Sequence, residues 1–267
     1  MHVYWSTSNG AMGTIAKVPI GGGNVTTLAS MQLGPTDIAL DTSTNPTTVY
    51  WVNYGEGTVK KVSSNGGVIT TLCTGLPSAT RLAVTPTTVF VTNLNGVVMK
   101  VPVGGGATAT IDSSDQSATE IIVSGLNIYW AGNSKIANAT IVSKQPLGGV
   151  TTQIYTGLVQ GVTDIVSDAS NVYFAEHNSN QILSVGINGG VATTLANAIN
   201  PSGIALSGTT LYWAGASNGG SVVKMATTGG VITTIATGQQ SPAFVALDTT
   251  SVYWINQTSG TIQKANK

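Results

Sequence analysis

Charge is what this chain has least of: of 267 residues, 10 are Lys or Arg and 10 are Asp or Glu, 7% in all, against roughly 25% in an ordinary soluble domain. The formal net charge is zero, so no global field favours nucleic acid or an anionic membrane as partner. Cys73 is the sole cysteine, which excludes an intrachain disulfide; it aligns with Ala29, Thr156, Asn197 and Thr237 as a small filler. Apolar runs stop at strand length, so none reads as a membrane-spanning helix. The opening residues, MHVYWSTSNG, carry neither a basic region nor an apolar stretch of the kind that leads a secreted chain. Thr, Ser, Asn and Gly take the place of charge, a composition that predicts short strands, tight turns and a secreted or cell-surface protein. Asn24, Asn138 and Asn256 open glycosylation sequons of the kind that such a composition supplies by chance.

What is abundant is repetition. Seven pairs recur: Tyr4-Trp5, Tyr50-Trp51, Phe90-Val91, Tyr129-Trp130, Tyr173-Phe174, Tyr212-Trp213 and Tyr253-Trp254, with first members 46, 40, 39, 44, 39 and 41 residues apart. Between them recurs a double glycine before a threonine-rich run: GGNVTTL, GGVITTL, GGATATI, GGVTTQI, GGVATTL and GGVITTI. A period near ~40 residues holding four strand-sized pieces predicts an all-β propeller of four-stranded antiparallel blades. Strand A is DIAL (37–40), RLAV (81–84), EIIV (120–123), DIVS (164–167), GIAL (203–206) or FVAL (244–247). Strand B carries the aromatic pair, strand C follows it, and strand D is the TTL run. The count is six A, seven B, seven C and six D strands. Those 26 strands favour seven blades with incomplete first and last members over the alternative of six, in a single domain spanning 1–267.

The B strands read YWST (4–7), YWVN (50–53), FVTN (90–93), YWAG (129–132), YFAE (173–176), YWAG (212–215) and YWIN (253–256). Over the whole chain they resemble the Tyr-Trp-Thr-Asp (YWTD) repeats of low-density lipoprotein receptor class B propellers, in a bacterial-like variant. The resemblance implies a propeller, six-bladed in that family, with a protein-binding face. No copy retains the motif's Asp, so the family's ligand choice does not carry over.

Thirteen of the 16 aromatic residues lie in the pairs, and alternation along a strand sends one ring towards each neighbouring sheet. Tyr54, Tyr155 and Phe244 escape the pattern. Sorting the charges by loop, with D-to-A and B-to-C connections at one end of the blades, places Asp37, Glu56, Asp112, Asp115, Glu120, Asp164 and Glu176 there against Arg81 and Lys135. Most lysines fall at the end of strand C, where charge keeps an outer strand from pairing with strangers. The predicted molecule is neutral as a whole and opposite in sign at its two ends.

Asp37, Arg81, Glu120, Asp164, Gly203 and Phe244 occupy one column at the start of strand A, the expected mouth of a channel. Their carboxylates suit a ligand or a divalent cation such as calcium, with Asp37, Glu120 and Asp164 as metal ligands. Glu176 and His177 replace neutral residues in a B-to-C loop and pair a carboxylate with an imidazole. The leading reading is a non-catalytic, lectin-like or protein-binding module that takes a protein, peptide or glycan at Asp37, Arg81, Glu120, Asp164 and Phe244, with Tyr54, Glu176 and His177 on the rim. One alternative is a metal-dependent hydrolase or lyase in which Glu176 or His177 moves a proton. Another is a surface-array protein that self-associates through its incomplete end blades.

Overall fold

A computed structural model describes residues 1–8, 12–135 and 139–267; the Asn138 sequon lies outside them. The first sheet holds β1 (His2–Thr7), β2 (Gly13–Pro19) and β3 (Thr26–Gln32). The second holds β4 (Pro35–Asp41), β5 (Thr48–Asn53), β6 (Thr58–Ser63) and β7 (Thr70–Cys73). The third holds β8 (Ala79–Val84), β9 (Thr88–Asn93), β10 (Val98–Pro102) and β11 (Ala109–Asp112). The fourth holds β12 (Ser117–Ser124), β13 (Asn127–Asn133), β14 (Thr140–Pro146) and β15 (Thr152–Thr156). The fifth holds β16 (Val162–Ser167), β17 (Asn171–Glu176), β18 (Gln181–Gly186) and β19 (Thr193–Asn197). The sixth holds β20 (Pro201–Ser207), β21 (Thr210–Gly215), β22 (Asn218–Ala226) and β23 (Thr233–Gln240). The seventh holds β24 (Pro242–Leu247), β25 (Ser251–Asn256) and β26 (Thr261–Asn266).

These are the seven antiparallel blades of an all-β propeller, each in the order in which its strands occur along the chain. The first sheet is B-C-D and the last A-B-C, which reproduces the 26-strand count and decides between seven blades and six. Contacts divide the chain into two compact units, Met1–Val123 and Ser124–Lys267. Among the described residues no helix is long and apolar enough to cross a membrane.

The aromatic pairs build the interior of each unit, and the direction of each ring is constant. Trp51 of the second sheet packs back onto Ile15, Leu28 and Ala29 of the first, while Tyr50 packs forward with Leu82, Val89 and Val91 of the third. In the other unit Trp213 packs back with Ile182 and Ala196 and Tyr173 packs forward with Ile204 and Leu211, and Trp254 packs back with Tyr212 and Val222. Trp51 and Trp130 are wholly buried; Tyr4 and Trp5, on a three-stranded sheet's first strand, are half-buried.

The double glycines are turns between C and D strands. Gly105 and Gly106 have φ of 86° and 128°, open to glycine at little cost. The turn tucks under the preceding sheet: Gly106 N–H donates to Leu72 O at 3.0 Å, and a Cβ on Gly105 would lie 3.1 Å from that same oxygen. The register of the D strands corrects the alignment of Cys73. It pairs with Val59 as Ala29 pairs with Ile15, Tyr155 with Val142, and Ala196 with Ile182. Burial pushes the Cys73 thiol up, so it is an inert filler.

Candidate functional site

The A strands begin two residues or more before the segments read from the sequence, because the preceding Pro or Ala already pairs with the end of strand B: Pro35 with Asn53, Ala79 with Asn93, Pro201 with Gly215. A bulge then falls before Asp37, Arg81, Asp164 and Gly203. A bulge leaves a residue out of the ladder and turns its neighbours' polar groups outward. Here those groups turn towards the next sheet. Thr36 Oγ1 donates to Thr80 O at 2.9 Å and Asp37 Oδ2 accepts from Leu82 N–H at 2.8 Å. In the second unit Thr163 Oγ1 donates to Pro201 O at 2.8 Å and Asp164 Oδ2 accepts from Ile204 N–H at 2.9 Å. Ser202 Oγ likewise donates to Pro242 O at 2.8 Å.

Arg81 makes the same forward step with a charge. Its Nε–H reaches both oxygens of Glu120, at 3.1 and 3.0 Å. Where the column carries no acid, at Gly203, the backbones close up instead: a Cβ there would stand 2.7 Å from the Phe244 nitrogen. Phe244 is the one departure. The bulge of the last sheet falls between Ala243 and Ala246, Phe244 takes φ 52°, and its ring is 43% exposed.

Of the column read as a ligand mouth, Asp37, Arg81 and Asp164 thus each hold the next sheet. Burial pushes the Asp37 carboxyl up, against the pull of the Arg81 guanidinium and of the Leu82 and Ile38 N–H groups. Among the described residues no three His, Cys, Asp or Glu side chains form a group that could hold a metal ion, and Asp37, Glu120 and Asp164 all hold protein partners. The lysines are also staples rather than mere edge guards: Lys17 Nζ donates to Ser64 O at 2.6 Å, Lys61 to Val103 O at 2.6 Å and Lys144 to Ile187 O at 3.2 Å, each a backbone carbonyl of the following sheet.

Glu176 and His177 fall into the repeat as well. The first residue of the B-to-C loop donates its N–H to a D-to-A loop carbonyl in five blades: Tyr54 to Gly34, Leu94 to Ser78, His177 to Gly161, Ala216 to Asn200 and Gln257 to Ser241. Glu176, 3% exposed, accepts from Ser179 Oγ at 2.5 Å. In the second sheet the same turn carries its acid three residues later: Asn53 Nδ2 donates to Glu56 Oε2 at 3.4 Å, and Lys60 pairs with that oxygen at 2.6 Å, which holds the Glu56 carboxyl below its usual range. The two loops place the acid at opposite ends of one hydrogen bond, with Asn53 as donor in one and the Ser179 hydroxyl in the other.

Sequence reasoning missed a polar anchor on the aromatic pairs. Tyr173 Oη donates to Asp168 at 2.8 Å and Tyr253 Oη to Asp248 at 2.7 Å, each Asp also accepting two turn N–H groups. On the other ring, Trp51 Nε1–H donates to Gln32 Oε1 at 3.0 Å and Trp254 Nε1–H to Gln239 Oε1 at 2.9 Å. The signal was present: Gln32 and Gln239 both stand four residues after the aligned Leu28 and Ile235.

The loop ends joined by the five brackets also expose apolar side chains. In the first unit Tyr54 is 45% exposed, with Leu33, Leu94 and Met31 also exposed. Tyr54 and Leu33 lie side by side, since Gly55 N–H donates to Leu33 O at 2.9 Å. In the second unit the loop ends expose Leu158, Ile199 and Phe244.

No family model and no curated protein matches the chain. Solved structures do. A chain of the nidogen/laminin complex superposes with a TM-score of 0.67 at 16% identity, covering 84% of this chain and 89% of its own. Streptogramin B lyase gives 0.70 at 16% identity, over 88% and 83%. A catalytically inactive virginiamycin B lyase from Staphylococcus aureus with quinupristin gives 0.71 at 14% identity, over 100% and 88%. The likeness is one of fold. At these identities a binding protein and an enzyme share the architecture, and activity has to be argued from the site.

Proposed function

We propose that this chain is a non-catalytic module that binds a protein or peptide at the loop ends of its blades. The observation that carries the reading is a contrast at those ends. Asp37, Arg81 and Asp164 are engaged with protein groups of the next sheet, while Tyr54, Leu33 and Leu94 in one unit and Leu158, Ile199 and Phe244 in the other are exposed. Exposed aromatic and aliphatic side chains on loops held by a rigid scaffold are the usual anchors of protein recognition. The nidogen/laminin likeness supports the reading as a matter of fold, being a propeller in a protein complex.

The experiment is peptide display against the immobilised wild type, followed by affinity measurement on Tyr54→Ser/Leu94→Ser. Binders are expected, and the double variant should weaken those seated on the first unit by about tenfold or more at unchanged melting temperature. Binders indifferent to Tyr54, Leu94, Leu158, Ile199 and Phe244 alike would overturn the proposal.

A further inference from the structure

Among the described residues, the second and seventh sheets each carry a filled copy of a small site, and the sixth carries an open one. In the filled copies a glutamine from the preceding sheet lies over the tryptophan. Gln32 Oε1 accepts from Trp51 Nε1–H at 3.0 Å and Asn53 Nδ2 at 3.0 Å, and its own Nε2 donates to Ser30 O at 2.8 Å. Gln239 does the same with Trp254 at 2.9 Å, Asn256 at 2.9 Å and Thr237 O at 2.9 Å. A carboxamide is thus held at both ends, its oxygen by an indole N–H and its nitrogen by the carbonyl two residues earlier.

In the sixth sheet the tryptophan is present and the glutamine is not. Position 199, four residues after Leu195 as Gln32 is after Leu28, is isoleucine, and its side chain is 74% exposed. Trp213 is 3% exposed, yet among the described residues its indole N–H meets no acceptor. Gly215 stands where Asn53 and Asn256 stand in the filled copies, and the Ile199 carbonyl comes within 2.8 Å of where its Cβ would be. The result is a groove of about 310 Å³ lined by Asn197, Ile199, Trp213, Gly215, Ser217 and Ser221, among others. Asn197 is the residue whose carbonyl corresponds to those of Ser30 and Thr237.

We propose that this groove receives the glutamine side chain of a partner peptide, seated as Gln32 and Gln239 are seated in the sister sheets. The carboxamide oxygen takes the Trp213 N–H, the amide nitrogen faces the Asn197 carbonyl and the Ser217 and Ser221 hydroxyls, and the exposed Ile199 packs on the peptide beside it. The inference rests on the protein-binding reading for the carrier of the carboxamide, whereas the site itself stands on the groove and the unpartnered indole.

The test uses the indole N–H resonances of the five tryptophans in a ¹⁵N-labelled full chain, with Trp213 assigned through Trp213→Phe. The probe is the blocked tripeptide acetyl-Gly-Gln-Gly-amide, with acetyl-Gly-Met-Gly-amide as the same shape without the carboxamide. The Gln peptide should move the Trp213 resonance saturably, with an apparent Kd about fivefold to tenfold tighter than the Met peptide, and should leave Trp51 and Trp254 in place. Ile199→Gln should fill the groove from within, shift the Trp213 resonance towards those of Trp51 and Trp254, and abolish the response. No movement of Trp213, equal response to both peptides, or an unchanged response in Ile199→Gln overturns the proposal. N-acetylglucosamine binding more tightly than the Gln peptide would overturn the peptide assignment in favour of a glycan. Displayed peptides that depend on Tyr54 would survive any of these failures, so the two readings fall separately.

Discussion

A single residue shows how the few charges of this chain are spent on its own backbone. Asp248 accepts the N–H groups of Thr250 and Ser251 and the hydroxyl of Tyr253, and the tyrosine hydroxyl foremost, with those N–H groups, lowers its pKa to about 2 from 3.8. A carboxylate whose folded pKa is depressed adds stability above its unfolded pKa and loses it as pH falls through the folded one. Asp248→Asn should therefore melt below the wild type at about pH 5, with the gap closing as both are taken to about pH 2. Thermal melts across that range would show it, and a gap of constant size would rule out the ionised anchor. The turn acid was readable as a turn acid from its place after strand A. Its tyrosine partner was not, because a period-2 pattern says which face a ring takes and nothing about where its hydroxyl ends.

At the scale of the element, the sheets and their order were legible because each blade repeats the same apolar alternation and the same glycine turn. The role of the strand A acids was not legible. Asp37 bonds a backbone N–H 45 residues away, and that N–H faces the carboxylate only because a bulge precedes it in its own strand, a feature with no fixed sequence signature. The glycine turns carry a comparable hidden contact. Gly66 and Gly105 have nearly the same φ, 81° and 86°, but a Cβ on Gly66 meets nothing within 4 Å while one on Gly105 meets Leu72 O at 3.1 Å. Alanine at either position should cost about 1–2 kcal/mol for the left-handed backbone, and Gly105→Ala should cost measurably more. Chemical denaturation of the two variants separates the terms; equal losses would mean that the turn does not bear on the neighbouring sheet.

For the whole molecule, scarcity of charge and abundance of exposed loop apolars belong to one design. Threonine and serine hydroxyls, three acids, an arginine and three lysines join one sheet to the next, so most of the strand A residues suggestive of chemistry in the sequence are ones that hold the blades. The residues left to meet a partner are those that break the repeat and stand exposed: Tyr54, Leu94, Ile199 and Phe244. The most direct measurement compares two variants at matched melting temperature against peptides selected on the wild type. Asp37→Asn/Asp164→Asn keeps an acceptor for Leu82 and Ile204 but removes the charge; Tyr54→Ser/Leu94→Ser/Ile199→Ser keeps the charge but removes the apolar anchors. The account predicts that the selected peptides bind the first variant as they bind the wild type and lose about tenfold or more on the second. Loss on the first with retention on the second would contradict it and return the binding site to the carboxylates.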